Sequence, residues 1–224
     1  MSAPHAEHSR LETVARPKQA RAERTLHRLL DAAEGLIEEH GPGDVSIPEI
    51  VRRARSSVGG FYARFHDKNE LLRALEERFF QQQLRRVERL TQLEGWQGAP
   101  LAEIVRGCMR ELVLVFRERR ALIRAFVARA IQDVEARGAA LAFEREVADR
   151  VAALLLAQPD TVRHPRPQQA IALAVAIVFA SMITGVLIGD ARHPFAQLSD
   201  EQAAEELARN FLGYLSLDEA FRRT

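Results

Sequence analysis

The stretch Ser46–Leu72, SIPEIVRRARSSVGGFYARFHDKNELL, constrains the fold of this chain more than any other. Ser46 stands where a helix N-cap belongs, and Pro48 falls in the first turn, where its missing N–H costs little. Ile50, Val51 and Ala54 make one apolar face. Arg55-Ser56-Ser57 forms a turn, and Ser57 is a second N-cap before Val58–Phe65. Asp67 caps a third helix, with Glu70 three residues on in the manner of a capping box. Arg52, Arg53, Arg55 and Arg64 punctuate the segment. Two short helices at a steep angle, the second opening on small residues, have the dimensions to enter a DNA major groove.

The remaining chain also reads as helix. Few β-branched clusters occur and no stretch alternates apolar and polar residues. Leu26, Leu29, Leu30, Ala33, Leu36 and Ile37 recur at three and four until Gly41-Pro42-Gly43. A helix after Asp67 runs to about Leu93, and Gly95–Pro100 breaks the chain. Further helices are expected at 101–117, 120–136 and 139–157, with Gly138 dividing the last two. Gln158–Gln168 carries Pro159, Pro165 and Pro167 and reads as a loop. An uncharged helix runs to Gly189. After a loop at Asp190–Leu198, Ser199 and Gln202 cap the final helix.

Charge is segregated rather than abundant. The net charge is +1. Arg16, Lys18, Arg21, Arg24 and Arg28 gather near the start, and Asp31, Glu34, Glu38, Glu39 and Asp44 follow. Phosphate attraction is local at physiological salt, so this separation matters more than the sum. The single cysteine, Cys108, forbids an intrachain disulfide and suits a reducing compartment. Residues 1–20 lack the apolar core of a signal peptide, so a cytoplasmic location is expected. Ile171–Ile188 reaches the lower length limit of a membrane span. It is Ala-rich, holds Ser181, Thr184 and Gly185, and lacks flanking aromatic belts. A buried helix packed on two sides accounts for it better, so no membrane partner is expected.

The second short helix carries the chemistry. Ser56 and Ser57 offer hydroxyl and backbone donors for a phosphate at the helix start. Gly59-Gly60 costs about 2 kcal/mol relative to alanines in a free helix, a penalty consistent with close backbone approach. Tyr62 brings a phenol, Arg64 and Lys68 bring charge, and Phe61 and Phe65 anchor the helix. Two tail histidines, His5 and His8, fall short of a metal-ligand set. His66-Asp67 has no nucleophile beside it. Phosphate loops, paired metal motifs and nucleophile elbows are absent, so no cofactor and no enzymatic activity are expected.

The pattern resembles the DNA-binding domain of the TetR family. It is carried by Ala32-Ala33, Gly41, Ser46, Ile50, Ala54, Ser57, Gly59, Phe61-Tyr62, Phe65, Lys68 and Leu71-Leu72. The resemblance implies a homodimer with Val58–Phe65 as recognition helix, Tyr62 and Lys68 on phosphates, and the last two helices pairing with their copies. It implies a small-molecule pocket in the body between. Three positions depart from the pattern: Arg55 stands where glycine is usual, Gly60 where a hydroxyl is common, and Val51 where alanine is usual.

The expected architecture is all-α, with about nine helices. A flexible arm at 1–19 precedes a helix-turn-helix head at 20–66, and a ligand-binding and dimerisation body follows at 67–224. The expected DNA-contacting set is Ser46, Arg55, Ser56, Ser57, Val58, Gly59, Gly60, Tyr62, Arg64 and Lys68. Candidate pocket residues are Trp96, Met109, Phe116, Phe126, Phe143, Phe179 and Met182. Arg124 and Arg129 read as a solvated face, with an anionic ligand as the other possibility. Val175, Phe179, Met182, Ala204, Leu207, Ala208, Phe211 and Leu215 are expected at the dimer interface. The expected function is a ligand-responsive repressor that binds a palindromic operator as a dimer and is released by a small apolar or amphipathic effector. A helical carrier or enzyme with an incidental head is the alternative.

Overall fold

A computed structural model describes residues 9–43, 45–157, 162, 164–188 and 194–216. Its helices are α1 (Ser9–His40), α2 (Ile47–Arg53), α3 (Val58–Tyr62), α4 (Lys68–Leu90), α5 (Leu101–Glu118), α6 (Arg120–Gln132), α7 (Val134–Leu156), α8 (Pro167–Ile188) and α9 (Asp200–Ser216). Single 3-10 turns occupy Leu93–Trp96 and Pro194–Gln197. Among the described residues there is no strand, so the all-α expectation holds. α1 begins at Ser9, inside the stretch expected to be an arm; His5 and His8 lie outside the described residues. The chain divides into two units, Met1–Leu75 and Glu76–Thr224, so the division falls within α4 rather than before Asp67.

In the first unit, Leu29, Ala33 and Ile37 on α1 are buried together with Ile50 and Val51 on α2, Phe61 on α3, and Phe65, Leu71 and Leu75. Burying such side chains is the main favourable term for so small a unit. Arg53 ties α2 to α1 through a bidentate pair, with Nη1 and Nη2 donating to the two carboxylate oxygens of Glu39. This arginine therefore has a structural partner.

In the second unit, α5 packs on α9, α7 on α8, α8 on α9, and α6 on both α7 and α8. α8 has a mean hydropathy of 2.7 over its most apolar stretch, enough by length and composition to cross a membrane. One face is nevertheless buried in its own protomer, through Ile171, Ala174, Val175, Val178, Phe179, Met182 and Val186. The other face is also apolar: Leu173 is 50% exposed, Ile177 40% and Ile188 57%.

The residues expected at the dimer interface face inward. Val175, Phe179, Met182, Ala204, Leu207, Ala208, Phe211 and Leu215 are all buried inside the protomer. They form the seam between α8, α9 and α5, because the strongest apolar stripe goes to the nearest core. The opposite side of α8 carries the exposed apolar residues Leu173, Ile177 and Ile188.

Two helix boundaries also differ from expectation. The break between α6 and α7 lies at Asp133, whose side chain accepts from the N–H groups of Glu135 and Ala136. Gly138 sits inside α7, since the aspartate cap outweighs one poor helix former. Pro167 opens α8 rather than closing the loop, as the first-turn tolerance of proline allows. Of the two arginines expected on a solvated face, Arg124 is exposed and Arg129 is largely withdrawn from solvent. Arg124 Nη2 donates to the carbonyls of Val186 and Leu187 at the end of α8. Arg129, mostly shielded, pairs with the buried Glu76, with Nη2 to Oε2 at 2.8 Å.

Candidate nucleic-acid interface and body cavity

The helix-turn-helix is held by reciprocal caps. Ser46 Oγ accepts from Glu49 N–H, and Glu49 reaches back to the Ser46 N–H at 3.0 Å. The spacing Ser-x-x-Glu is the sequence signature of this capping box. The hydrogen bonds from Ser46 hold the Glu49 carboxyl below its ordinary pKa. Ser46 is thus committed to starting α2. After α2, Arg55 takes φ +46° and is the one described non-glycine residue with positive φ. A side chain in this left-handed region costs roughly 1–2 kcal/mol. The Arg55 side chain is exposed.

Ser57 Oγ accepts from Gly60 N–H at 2.9 Å and starts α3. α3 ends at Tyr62, with Ala63 as C-cap, and is shorter than the expected Val58–Phe65. Phe61 and Phe65 are buried with ring centroids 5.5 Å apart, which seats α3 on the head. Val58 (53% exposed) and Tyr62 (55%) lie four apart on the opposite side. A β-carbon on Gly59 would meet nothing within 4 Å. On Gly60 it would come within 2.8 Å of Ser56 Oγ and 3.1 Å of Ser57 Oγ. The two glycines therefore differ: Gly60 leaves room for the cap, and Gly59 leaves bare backbone facing out.

Arg64 has a largely internal task. Its Nη1 donates to the Gly60 carbonyl at 2.7 Å, and its Nε to the Ala22 carbonyl at 3.3 Å, stitching α3 to α1. Lys68 Nζ donates to the Pro42 carbonyl at 3.3 Å and, having three N–H groups, keeps two. Ser56 is half-buried. Arg52, not in the expected contact set, is exposed at the end of α2 beside Arg55. At the cap of α4, Asp67 Oδ1 accepts from Glu70 N–H, while Glu70 reaches back to the N–H of His66, one residue earlier than in the usual box.

The second unit encloses a cavity of about 470 Å³. Its wall includes Phe79, Phe80, Phe116, Phe126, Phe143 and Phe179, with Met109 and Cys108. Met109, Phe116, Phe126, Phe143 and Phe179 were the candidates that the structure brings together there. Two were not brought in. Trp96 donates from Nε1 to the Leu90 carbonyl at 2.6 Å and lies against Gly107, where a β-carbon would come within 2.5 Å of its ring. Met182 is buried elsewhere in the α8 seam. Sequence reading missed Phe79 and Phe80, because consecutive aromatics on α4 look like core. Phe80 stacks on Phe143 at 4.6 Å with planes 12° apart.

Charged side chains interrupt this apolar wall. Arg86 pairs with Glu111 at 2.6 Å, and Glu76 with Arg129. Glu144 also lines the cavity, and burial raises its pKa. The Cys108 thiol is pushed up to about 12, chiefly by burial, so at neutral pH it is not a reactive thiolate. Among the described residues no cluster of three metal-ligating side chains occurs.

Comparison with known proteins bears on both units. Residues 29–75 match the profile described as "Bacterial regulatory proteins, tetR family". The A-factor receptor protein of Streptomyces griseus is 32% identical over 91 residues, which span 40% of this chain but 29% of that protein. A TetR-family regulator structure from Mesorhizobium loti superposes with a TM-score of 0.72 at 17% identity, covering 88% of this chain and 98% of its own. A transcriptional regulator from Rhodococcus sp. RHA1 gives 0.64 at 21% identity, covering 87% and 96%. The structure of RolR in complex with resorcinol gives 0.55 at 25% identity, covering 92% and 94%. At such identities the first two establish likeness of fold. Residues 29–75 thus carry the helix-turn-helix of the tetR family of bacterial regulatory proteins, and the all-helical layout beyond them is the fold of the solved regulators.

Proposed function

We propose that this protein is a dimeric, effector-responsive transcription regulator, acting as a repressor on a two-fold operator, and not an enzyme. The observation that carries the reading is α3. It is capped at its start, anchored underneath by Phe61 and Phe65, and turns Val58, Gly59 and Tyr62 to solvent. A helix mounted that way can lay bare backbone and a phenol against a groove. Arg52, Arg55 and the free donors of Lys68 supply charge beside it. Ser46, Gly60 and Arg64 support the geometry from within.

The other half of the reading rests on the body. Its aromatic-lined cavity has the size of small-molecule sites. RolR, with a similar fold, holds resorcinol, and the A-factor receptor is named as a receptor. A bound effector shifts the DNA-competent population only by its differential affinity for two shapes, typically 1–3 kcal/mol of coupling. The outward apolar side of α8 supplies the dimer surface.

The test is selection of bound fragments from the source genome, followed by titration at several salt concentrations. A palindromic consensus and a steep salt slope are expected. Tyr62→Phe should weaken binding to all sequences alike, and Val58 substitutions should change the preferred sequence. No selected sequence, or affinity indifferent to salt and to both substitutions, refutes the reading.

A further inference from the structure

The cavity's charges are unevenly answered. Arg86 is neutralised by Glu111 and Arg129 by Glu76, so two of the three lining or adjoining guanidiniums are already paired. The third, Arg137, is solvent-exposed, where water screens it. Glu144 lies seven residues further along the same face of α7, about 10 Å from Arg137 along the helix. It is half-buried, and burial alone accounts for its raised pKa, with no neighbouring cation lowering it. Beside it, Phe143 stacks on Phe80 and meets Phe179 edge-on at 6.2 Å. Ile131 (65% exposed) and Leu141 (56%) add apolar lining that reaches solvent.

We infer that the effector is a cationic amphiphile, an ammonium on a flat apolar body, with Glu144 as its counter-ion and the Phe80–Phe143 stack against its apolar part. This rests on the reading of the cavity as the effector site and names the chemistry that site selects. A flat apolar body packs on ring faces, and a half-buried carboxylate holds a cation better than a fully solvated one does. An anion would meet Glu144 as a repulsion. A neutral ligand would leave its charge unanswered.

The test uses three probes of one shape on the full-length protein: 2-naphthylmethylammonium, 2-naphthylmethanol and 2-naphthoate, each titrated by calorimetry at pH 7.5. The ammonium should bind about tenfold or more tighter than the alcohol, as expected for a charge-assisted contact, and naphthoate weakest. Glu144→Gln should bring the ammonium to the alcohol's affinity and leave the alcohol within about threefold. Because burial penalises the Glu144 charge, this substitution should not lower the thermal midpoint, so lost affinity cannot be lost fold. Ala140→Trp, which fills the cavity, should abolish binding of all probes. If alcohol or naphthoate binds as tightly as the ammonium, or Glu144→Gln leaves the ammonium unaffected, the inference fails while the cavity remains an effector site. If ammonium binding survives Ala140→Trp, the cation sits elsewhere and the inference fails. If none of the three binds the unaltered protein, the effector-site reading falls and takes the inference with it.

Discussion

Ser57 Oγ accepts the Gly60 N–H at 2.9 Å across space that a β-carbon on Gly60 would crowd at 3.1 Å. Gly59, next to it, has open space around it. The pair that sequence reading treated as one device is therefore two. Gly59→Ala should stabilise the head by up to about 1 kcal/mol through helix propensity. It should also weaken operator binding by interposing a methyl group. Gly60→Ala should gain less stability, because the cap must shift. Chemical denaturation and DNA titration of both variants check this; equal behaviour of the two would refute the division.

Arg55 occupies a left-handed turn at φ +46°. Arg55→Gly should stabilise the fold by roughly 1 kcal/mol through release of that strain. If the guanidinium reaches phosphate, the same variant should bind DNA more weakly and with a shallower salt slope. Stabilisation without any loss of affinity would remove Arg55 from the DNA-contacting set.

The outward face of α8 presents Leu173 and Ile177 to solvent. Ile177→Glu should convert the dimer to a monomer in sedimentation equilibrium, with operator affinity falling in parallel. Substitution within the buried seam, as in Ala204→Glu, should instead unfold the body, since Ala204 is 3% exposed. A dimer unaffected by Ile177→Glu would place the interface elsewhere.

Glu76, 2% exposed, is held by Arg129. Arg129→Ala should cost about 3–5 kcal/mol, because it strands a buried charge. Arg129→Leu combined with Glu76→Leu should recover most of that loss, since an apolar pair of similar volume needs no counter-ion. Urea denaturation of the single and double variants measures the difference.

The Arg53 guanidinium hydrogen-bonded to Glu39 holds its carboxyl below the usual carboxylate range. A depressed folded-state pKa gives stability that is present above the unfolded value, near 4.5, and lost as pH falls through the folded value. The head should therefore lose thermal stability between about pH 5 and pH 3. Glu39→Gln should flatten part of that slope while lowering stability at neutral pH. An unchanged acid limb would mean that other carboxylates carry it.

Helix identity and the site's general location were local matters. Ser46, Ser57, Asp67 and Ser199 act on backbone groups three residues away, and the three-and-four spacing of apolar residues needs no knowledge of partners. So the all-α class, the helix-turn-helix and its caps were determined by sequence alone. What each side chain touches was decided by packing between distant segments. Arg64 is spent on Ala22 and Gly60, Trp96 on Gly107 and Leu90, and Arg129 on Glu76. The same holds for α8, whose two apolar faces are indistinguishable in sequence. Only the tertiary structure, by laying Val175, Phe179 and Met182 against the body, left Leu173 and Ile177 outside. Contact energies depend on which surfaces meet, and neighbours in space are set by the whole fold rather than by any one helix.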